Sequence, residues 1–310
     1  YENIEAGGSV FVEYPEVSKE RATVSVKTHV RNESAAQKSV LLTSELFDRE
    51  GNLVGHAEGT QALGADGDFQ FLQEIQVGQP HLWNLDDPYL HTLVSTVTVD
   101  GVEVDRVETT IGIRKITIDR ENGLFINGEA APLLSGVNRH QDYPVIGNAA
   151  PDSLQYRDAV KFKSAGFNVV RSAHYPMSEE FLKACDELGI LLFEATPGWQ
   201  WYPGTETFDT RVRDNIRQMV RRDRNHACIL AYEVVLNEAY NVPQNFTSES
   251  SLVAKAEHPT GLIATESQGY DVNVNGKDEL ADFMYGHPES GAMDKSTKAL
   301  GFVREYGDSY

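Results

Sequence analysis

Two glutamates stand where a carboxylate could do chemistry. Glu238 closes the run Ile229-Leu-Ala-Tyr-Glu-Val-Val-Leu-Asn237-Glu238, and Glu305 closes Gly301-Phe-Val-Arg-Glu305. Each ends a short apolar stretch of strand character, and in a (β/α) barrel the carboxyl ends of strands are where reactive side chains project. Two carboxylates brought together there suit cleavage of a glycosidic bond, because one protonates the leaving oxygen while the other attacks the anomeric carbon or activates water. Taken alone, a Glu at the end of an apolar run is more often a solvated loop residue. The elements around it have to turn that reading toward chemistry.

From about Ser9 to Ile118 the pattern has period two. Ala22, Val24, Val26 and Val30 alternate with polar residues, as do Val40, Leu42 and Leu46, which is how half-buried strands read. Asp100-Gly101 between Leu93–Val99 and Val102–Thr110 is a two-residue hairpin turn of type I′ character. The spacing predicts a β-sandwich of about 110 residues, over residues 1–118. Near Asn122 the period changes, and after a short Asn127-Gly128 hairpin strands alternate with helices, the mark of parallel βα units. This predicts a TIM-type barrel over residues 119–310.

Asp152 is expected to cap a first helix that faces Tyr156, Ala159 and Val160 inward and ends at Gly166; Ser178 caps a second, with Phe181, Leu182, Cys185 and Leu188 on one side and Gly189 as its stop. Val212, Ile216, Met219 and Val220 space out a third. Strands are expected at Asn168–Arg171, Ile190–Phe193 and Ile229–Leu236. Weaker candidates lie at Gly261–Thr265, Asp282–Tyr285 and Phe302–Arg304, giving about seven barrel strands in all.

Composition narrows the partners. With 310 residues, 40% hydrophobic and 24% charged, the chain can bury a substantial core and is expected to divide in two. A formal charge of −20 argues against nucleic acid or an anionic membrane surface, since phosphate binding needs clustered Lys and Arg. No apolar run is long enough to span a bilayer, and the opening Tyr-Glu-Asn-Ile-Glu lacks the form of a signal peptide, although the chain could be a processed or excised piece. Cys185 and Cys228 lie in apolar-patterned segments and are expected to be buried free thiols.

Six motifs then occur in order: Gly136-Val-Asn-Arg-His140, Asn168-Val-Val-Arg171-Ser-Ala-His174-Tyr-Pro176, Cys185-Asp-Glu-Leu-Gly189, Arg222-Asp-Arg-Asn-His226, Asn237-Glu238 and Glu305-Tyr-Gly307. Together they resemble glycoside hydrolase family 2. Leu82-Trp-Asn-Leu-Asp-Asp-Pro-Tyr-Leu90 and Gly112-Ile-Arg114 are similar to the closing strands of that family's immunoglobulin-like domain, so the resemblance runs from about Phe71 to Tyr310. Asn138-Arg139-His140 followed by Pro144 and Gly147 looks more like the β-galactosidases than the β-glucuronidases or β-mannosidases.

The resemblance implies roles. Glu238 matches the acid/base, whose carboxyl needs a raised pKa, and Glu305 matches the nucleophile, which must stay ionised; the outcome would be net retention. Asn237 matches the residue that hydrogen-bonds the sugar 2-hydroxyl, and Tyr285 a tyrosine that hydrogen-bonds the nucleophile. His140 and His174 match histidines that contact sugar hydroxyls, with a structural histidine as the alternative. Arg171 would help position the site, and Trp199 could stack on a pyranose or simply pack in its loop. His226 and Asp223 precede their strand and are expected to tie the third helix to it. Metal-dependent β-galactosidases of the family carry Glu-x-His where this chain has Gly198-Trp-Gln200, so no catalytic metal is predicted and no cofactor is implied, and Glu194 is expected to support the site from behind.

From Gly123 onward the chain is also shorter than the about 250 residues of a full barrel. The expectation is a (β/α)8 barrel truncated after about seven strands, lacking also the family's N-terminal sugar-binding domain. A non-catalytic fragment that binds carbohydrate or is purely structural is therefore the rival reading, beside a glucuronidase or mannosidase of the same family. Acidity and a carbohydrate role lean toward a bacterial periplasmic or secreted setting; compartment, natural linkage and oligomeric state are not legible.

Overall fold

Alternating valines and threonines build the amino-terminal part. In a computed structural model of the chain, residues 9–119, 121–198, 201–236, 242–266, 280–286 and 299–303 are described. The chain divides into two units, one of residues 1–115, 126–128 and 224–227 and the other of the remaining segments through residue 310.

The first unit contains seven strands: β1 Val10–Val17, β2 Arg21–Arg31, β3 Lys38–Phe47, β4 Leu53–Leu63, β5 Asp68–Gly78, β6 His91–Val99 and β7 Val102–Ile111. They form two antiparallel sheets, ordered β1-β2-β5 and β4-β3-β6-β7. The inward-facing residues of period two, among them Val24, Val26, Leu46, Ile75, Leu93 and Ile111, make one apolar cluster. Asp100 and Gly101 both take positive φ, 53° and 78°, so the β6–β7 turn has the geometry that matches strand twist. Trp83 is fully buried and its amide donates to the Ile113 carbonyl at 2.9 Å. Gly112 beside it is required: a Cβ there would lie 2.6 Å from that of Ala227 and 2.9 Å from that of Trp83.

The second unit opens with a small sheet of β8 Ile116–Asp119, β9 Gly123–Ile126 and β10 Glu129–Ala130. Next come β11 Gly136–Arg139, α1 Asp152–Ser164, β12 Val169–Ser172, α2 Glu179–Leu188, β13 Leu191–Ala195, α3 Glu206–Asp223, β14 Ile229–Val235, α4 Gln244–Glu257, β15 Ile263–Glu266, β16 Phe283–Gly286 and β17 Leu300–Val303. Strands β11 to β17 lie side by side in chain order as one parallel sheet. Helices cover such strands, so they read as nearly continuous apolar runs; every residue of β12, β13 and β14 is buried.

Helix α2 shows how local sequence sets an element. The Ser178 hydroxyl accepts from the Phe181 amide, Gly189 leaves in the left-handed conformation at φ 66°, and Phe181, Leu182, Ala184 and Cys185 face the core. Burying Phe181 completely contributes about 1.5–3 kcal/mol. Leu188, expected on the same face, is only half-buried. Helix α1 departs from expectation at two points. Asp152 is its first helical residue rather than its cap, a place taken by extended Pro151, whose fixed φ of −67° already suits entry into a helix. Val160 is 38% exposed, while Gln155 is buried because its amide oxygen accepts from Arg139 Nη2 at 2.6 Å. Cys185 and Cys228 are buried free thiols, and burial raises both well above the usual thiol range.

Candidate active site

Strand order decides which residues can meet. His140 directly follows β11 and His174 lies just past β12, so adjacent parallel strands deliver both histidines to the same carboxyl-terminal edge. Their rings meet edge to face, centroids 5.5 Å apart at 84°. His140 also lies 6.2 Å from the Tyr175 ring, whose hydroxyl accepts from the Gln141 amide at 3.0 Å. His140 is exposed and His174 half-buried, so both can be reached from solvent.

Beneath them lies an ion pair the sequence does not announce. Arg171 on β12 reaches past β13 to Glu233 on β14, with Nε to Oε2 at 2.8 Å and Nη2 to Oε1 at 2.6 Å. Arg171 is 2% exposed and Glu233 fully buried. A two-pronged guanidinium–carboxylate pair of this kind fixes both planes as well as the distance between them. Arg171 Nη2 also lies 3.5 Å from His174 Nδ1; arginine has only donors, so where this contact forms the ring meets it with an unprotonated Nδ1. Arg171 thus stands behind His174. Glu233 was missed, although a carboxylate inside an otherwise apolar run was the available signal.

The same strand carries a second irregularity. Between β14 and β15 the register passes from Glu233 opposite Ala264 to Val235 opposite Thr265, leaving one extra residue on β14. Such bulges bend a strand locally.

Two further ionisable groups back this edge. Arg139, at the end of β11, is 2% exposed and donates to Gln155, Asp158 and the Met177 thioether, with its guanidinium 4.1 Å from the Phe181 ring centre. Glu194 on β13 is fully buried and accepts the Met177 amide at 2.8 Å. Burial, and then the nearby Asp223 carboxylate, hold the Glu194 carboxyl well above the ordinary carboxylate value, against the pull of Arg222. Asp223 accepts both Arg222 Nε and Nη2, at 2.6 and 2.8 Å.

Glu238, Asn237, Glu305 and Trp199 lie outside the described residues. So does the side chain of Tyr285, whose backbone pairs in β16 with Glu266 of β15 and Phe302 of β17. The described residues therefore bring His140, His174 and Arg171 together.

Comparison with known proteins decides the family. Residues 9–114 match the family model described as Glycosyl hydrolases family 2, and residues 117–300 match Glycosyl hydrolases family 2, TIM barrel domain. The chain belongs to glycosyl hydrolases family 2. It is 32% identical over 250 residues to a β-galactosidase of Thermoanaerobacter pseudethanolicus, covering 78% of this chain and 32% of that protein. A β-glucuronidase of Bacteroides fragilis is 27% identical over 285 residues, covering 87% and 40%. Among solved structures, a Bacteroides uniformis β-glucuronidase superposes with a TM-score of 0.82 at 26% identity, over 89% of this chain and 35% of that one. A family 2 member from Bacteroides cellulosilyticus gives 0.81 at 26% identity, over 90% and 37%. The chain spans about a third of the length of the curated β-galactosidases it matches. The family model confirms that the sandwich is followed by a TIM barrel domain, of which the described residues supply seven strands.

Proposed function

We propose that the protein carrying this chain hydrolyses terminal β-linked sugars, with β-D-galactosides as the substrate class, by a retaining double displacement. Glu238 is the acid/base: protonated, it delivers its proton to the leaving oxygen. Glu305 is the nucleophile: ionised, it attacks the anomeric carbon and forms the glycosyl-enzyme. Once that bond forms the charge on Glu305 is gone, Glu238 becomes more acidic, and it accepts a proton from the water that hydrolyses the intermediate. Asn237 holds the 2-hydroxyl, His140 and His174 hold other sugar hydroxyls, Tyr285 hydrogen-bonds Glu305, and Trp199 offers a face to the pyranose.

One observation carries the reading. The family match runs over residues 9–114 and 117–300, and in the chain the two glutamates follow β14 and β17 shortly after each strand ends. In a barrel of parallel strands those ends share one face. The pairing of His140 with His174 at the same ends supports it. The galactoside reading draws on the β-galactosidases among the relatives; the relatives named β-glucuronidase favour a glucuronide as the second reading. A glucuronide needs a cation facing its carboxylate, and Arg171 is already engaged by Glu233.

The test is turnover of p-nitrophenyl β-D-galactoside against p-nitrophenyl β-D-glucuronide by the full-length protein. Preference for the galactoside sustains the proposal, preference for the glucuronide replaces the sugar class, and turnover of neither returns the chain to a binding or structural role.

A further inference from the structure

The turn after β12, residues 173–178, carries His174 and then delivers Ser178 as the cap of α2. Met177 anchors this turn through every handle it has. Its amide donates to Glu194 Oε1 at 2.8 Å, its carbonyl accepts from Arg222 Nη2 at 2.8 Å, and its buried thioether takes Arg139 Nη1 at 3.0 Å. These partners come from β13, α3 and β11 respectively. Glu194 also lies 3.6 Å from Arg222, joining two of the three anchors. Its other oxygen, Oε2, is buried without a hydrogen-bond partner among the described residues. Burying a carboxyl with one oxygen left unpartnered costs desolvation that an apolar side chain would avoid, so Glu194 is an expensive way to hold a turn. Stability alone gives no reason for it.

We propose that Glu194 is a positioning residue for the reaction: by holding the Met177 amide it sets the turn at 173–178, and with it the imidazole of His174. The proposal rests on His174 being a sugar contact. Arg222 completes the grip at the carbonyl of the same residue, and Asp223, which takes both of its donor arms, keeps the guanidinium aimed at it. A shift of about 1 Å in a substrate-positioning group can cost about 100-fold, so such an anchor can matter without touching sugar.

The experiment compares Glu194→Met, which keeps the volume but loses the acceptor, with Glu194→Gln, which keeps the acceptor, in the full-length protein. Glu194→Asp, too short to reach the amide, replaces Glu194→Met if the latter does not fold. On p-nitrophenyl β-D-galactoside, or on the glucuronide if that is what turns over, Glu194→Met should raise KM about 10-fold or more while kcat changes less than about threefold, because a ground-state sugar contact is disturbed. Glu194→Gln should stay within about threefold of the wild type. Adding Glu194→Met to His174→Asn should cost less than about twofold more, since both act through one ring. With 15N-labelled histidine, the His174 ring resonance, identified by its loss in His174→Asn, should move in Glu194→Met and hold its place in Glu194→Gln.

An unmoved resonance in Glu194→Met, or losses that multiply in the double variant, overturns the proposal. If His174→Asn leaves the kinetics unchanged, the assignment of His174 to the sugar fails instead, and the ring resonance alone decides whether Glu194 positions it.

Discussion

The sandwich and the barrel unit bury different things. In the sandwich the described buried polar side chains are neutral, such as Thr23, Asn32, Ser44 and Gln73, and Ser44 and Gln73 satisfy each other at 2.7 Å. The barrel unit buries Arg139, Arg171, Asp186, Glu194, Asp223 and Glu233. Burying an ion costs several kcal/mol even after relaxation, and an apolar replacement of a buried pair is often neutral or stabilising. The sandwich shows that this chain can build a core without charge. The ionisable groups buried in the barrel unit are therefore not explained by stability alone.

The two units should differ most at the proposed catalytic pair. Glu305→Gln or Glu238→Gln should lower kcat on an aryl glycoside by about 10²–10⁴-fold, with the thermal unfolding midpoint barely changed. A variant in the sandwich should do the reverse. Leu46→Ala removes a fully buried side chain and should cost about 2–5 kcal/mol in denaturant unfolding while kcat stays at the wild-type value.

The Arg171–Glu233 pair gives a two-part result. Glu233→Ala leaves an uncompensated buried guanidinium and should destabilise by about 3–5 kcal/mol, whereas Arg171→Met with Glu233→Leu should restore most of that stability without restoring turnover. Recovery of activity in the double variant would remove the pair from the functional account.

The smallest effect concerns pH. The Glu194 carboxyl is raised above its ordinary value of 4.5 by burial and by Asp223, with Arg222 of α3 and Arg139 of β11 pulling the other way. The folded protein thus keeps this proton to higher pH than the unfolded chain does. The stability linked to it is complete below the unfolded value and is lost as pH rises through the folded one. Glu194→Gln cannot ionise, so its stability relative to the wild type should climb from about pH 4.5 upward. A flat difference across that range would mean that Glu194 is ionised in the fold.

Much of the frame was legible because short-range signals fix it. Asp100-Gly101 announces its hairpin through two residues at positive φ, and Ser178 and Gly189 bracket α2 through one hydroxyl and one left-handed turn. Parallel strands such as β13 show in an apolar run that only Glu194 interrupts. What escaped were pairings set by topology. Arg171 meets Glu233 only because β12 and β14 flank β13, and residues separated by 62 positions carry no local sign of that. Gln155 replaces Val160 on the inner face of α1 for the same reason, since its partner Arg139 comes from β11. The candidate site divides likewise: motif order named His140, His174 and Arg171, while the anchoring of Met177 by Glu194, Arg222 and Arg139 depends on three elements meeting at one residue.

The most direct measurement is to trap the intermediate. Incubation of the full-length protein with an activated 2-deoxy-2-fluoro-β-D-galactoside, followed by peptide mass spectrometry, should place the fluorosugar on Glu305 through an ester, with activity returning as the adduct hydrolyses. Turnover that yields the inverted anomer with no adduct, or an adduct on another carboxylate, would contradict the account.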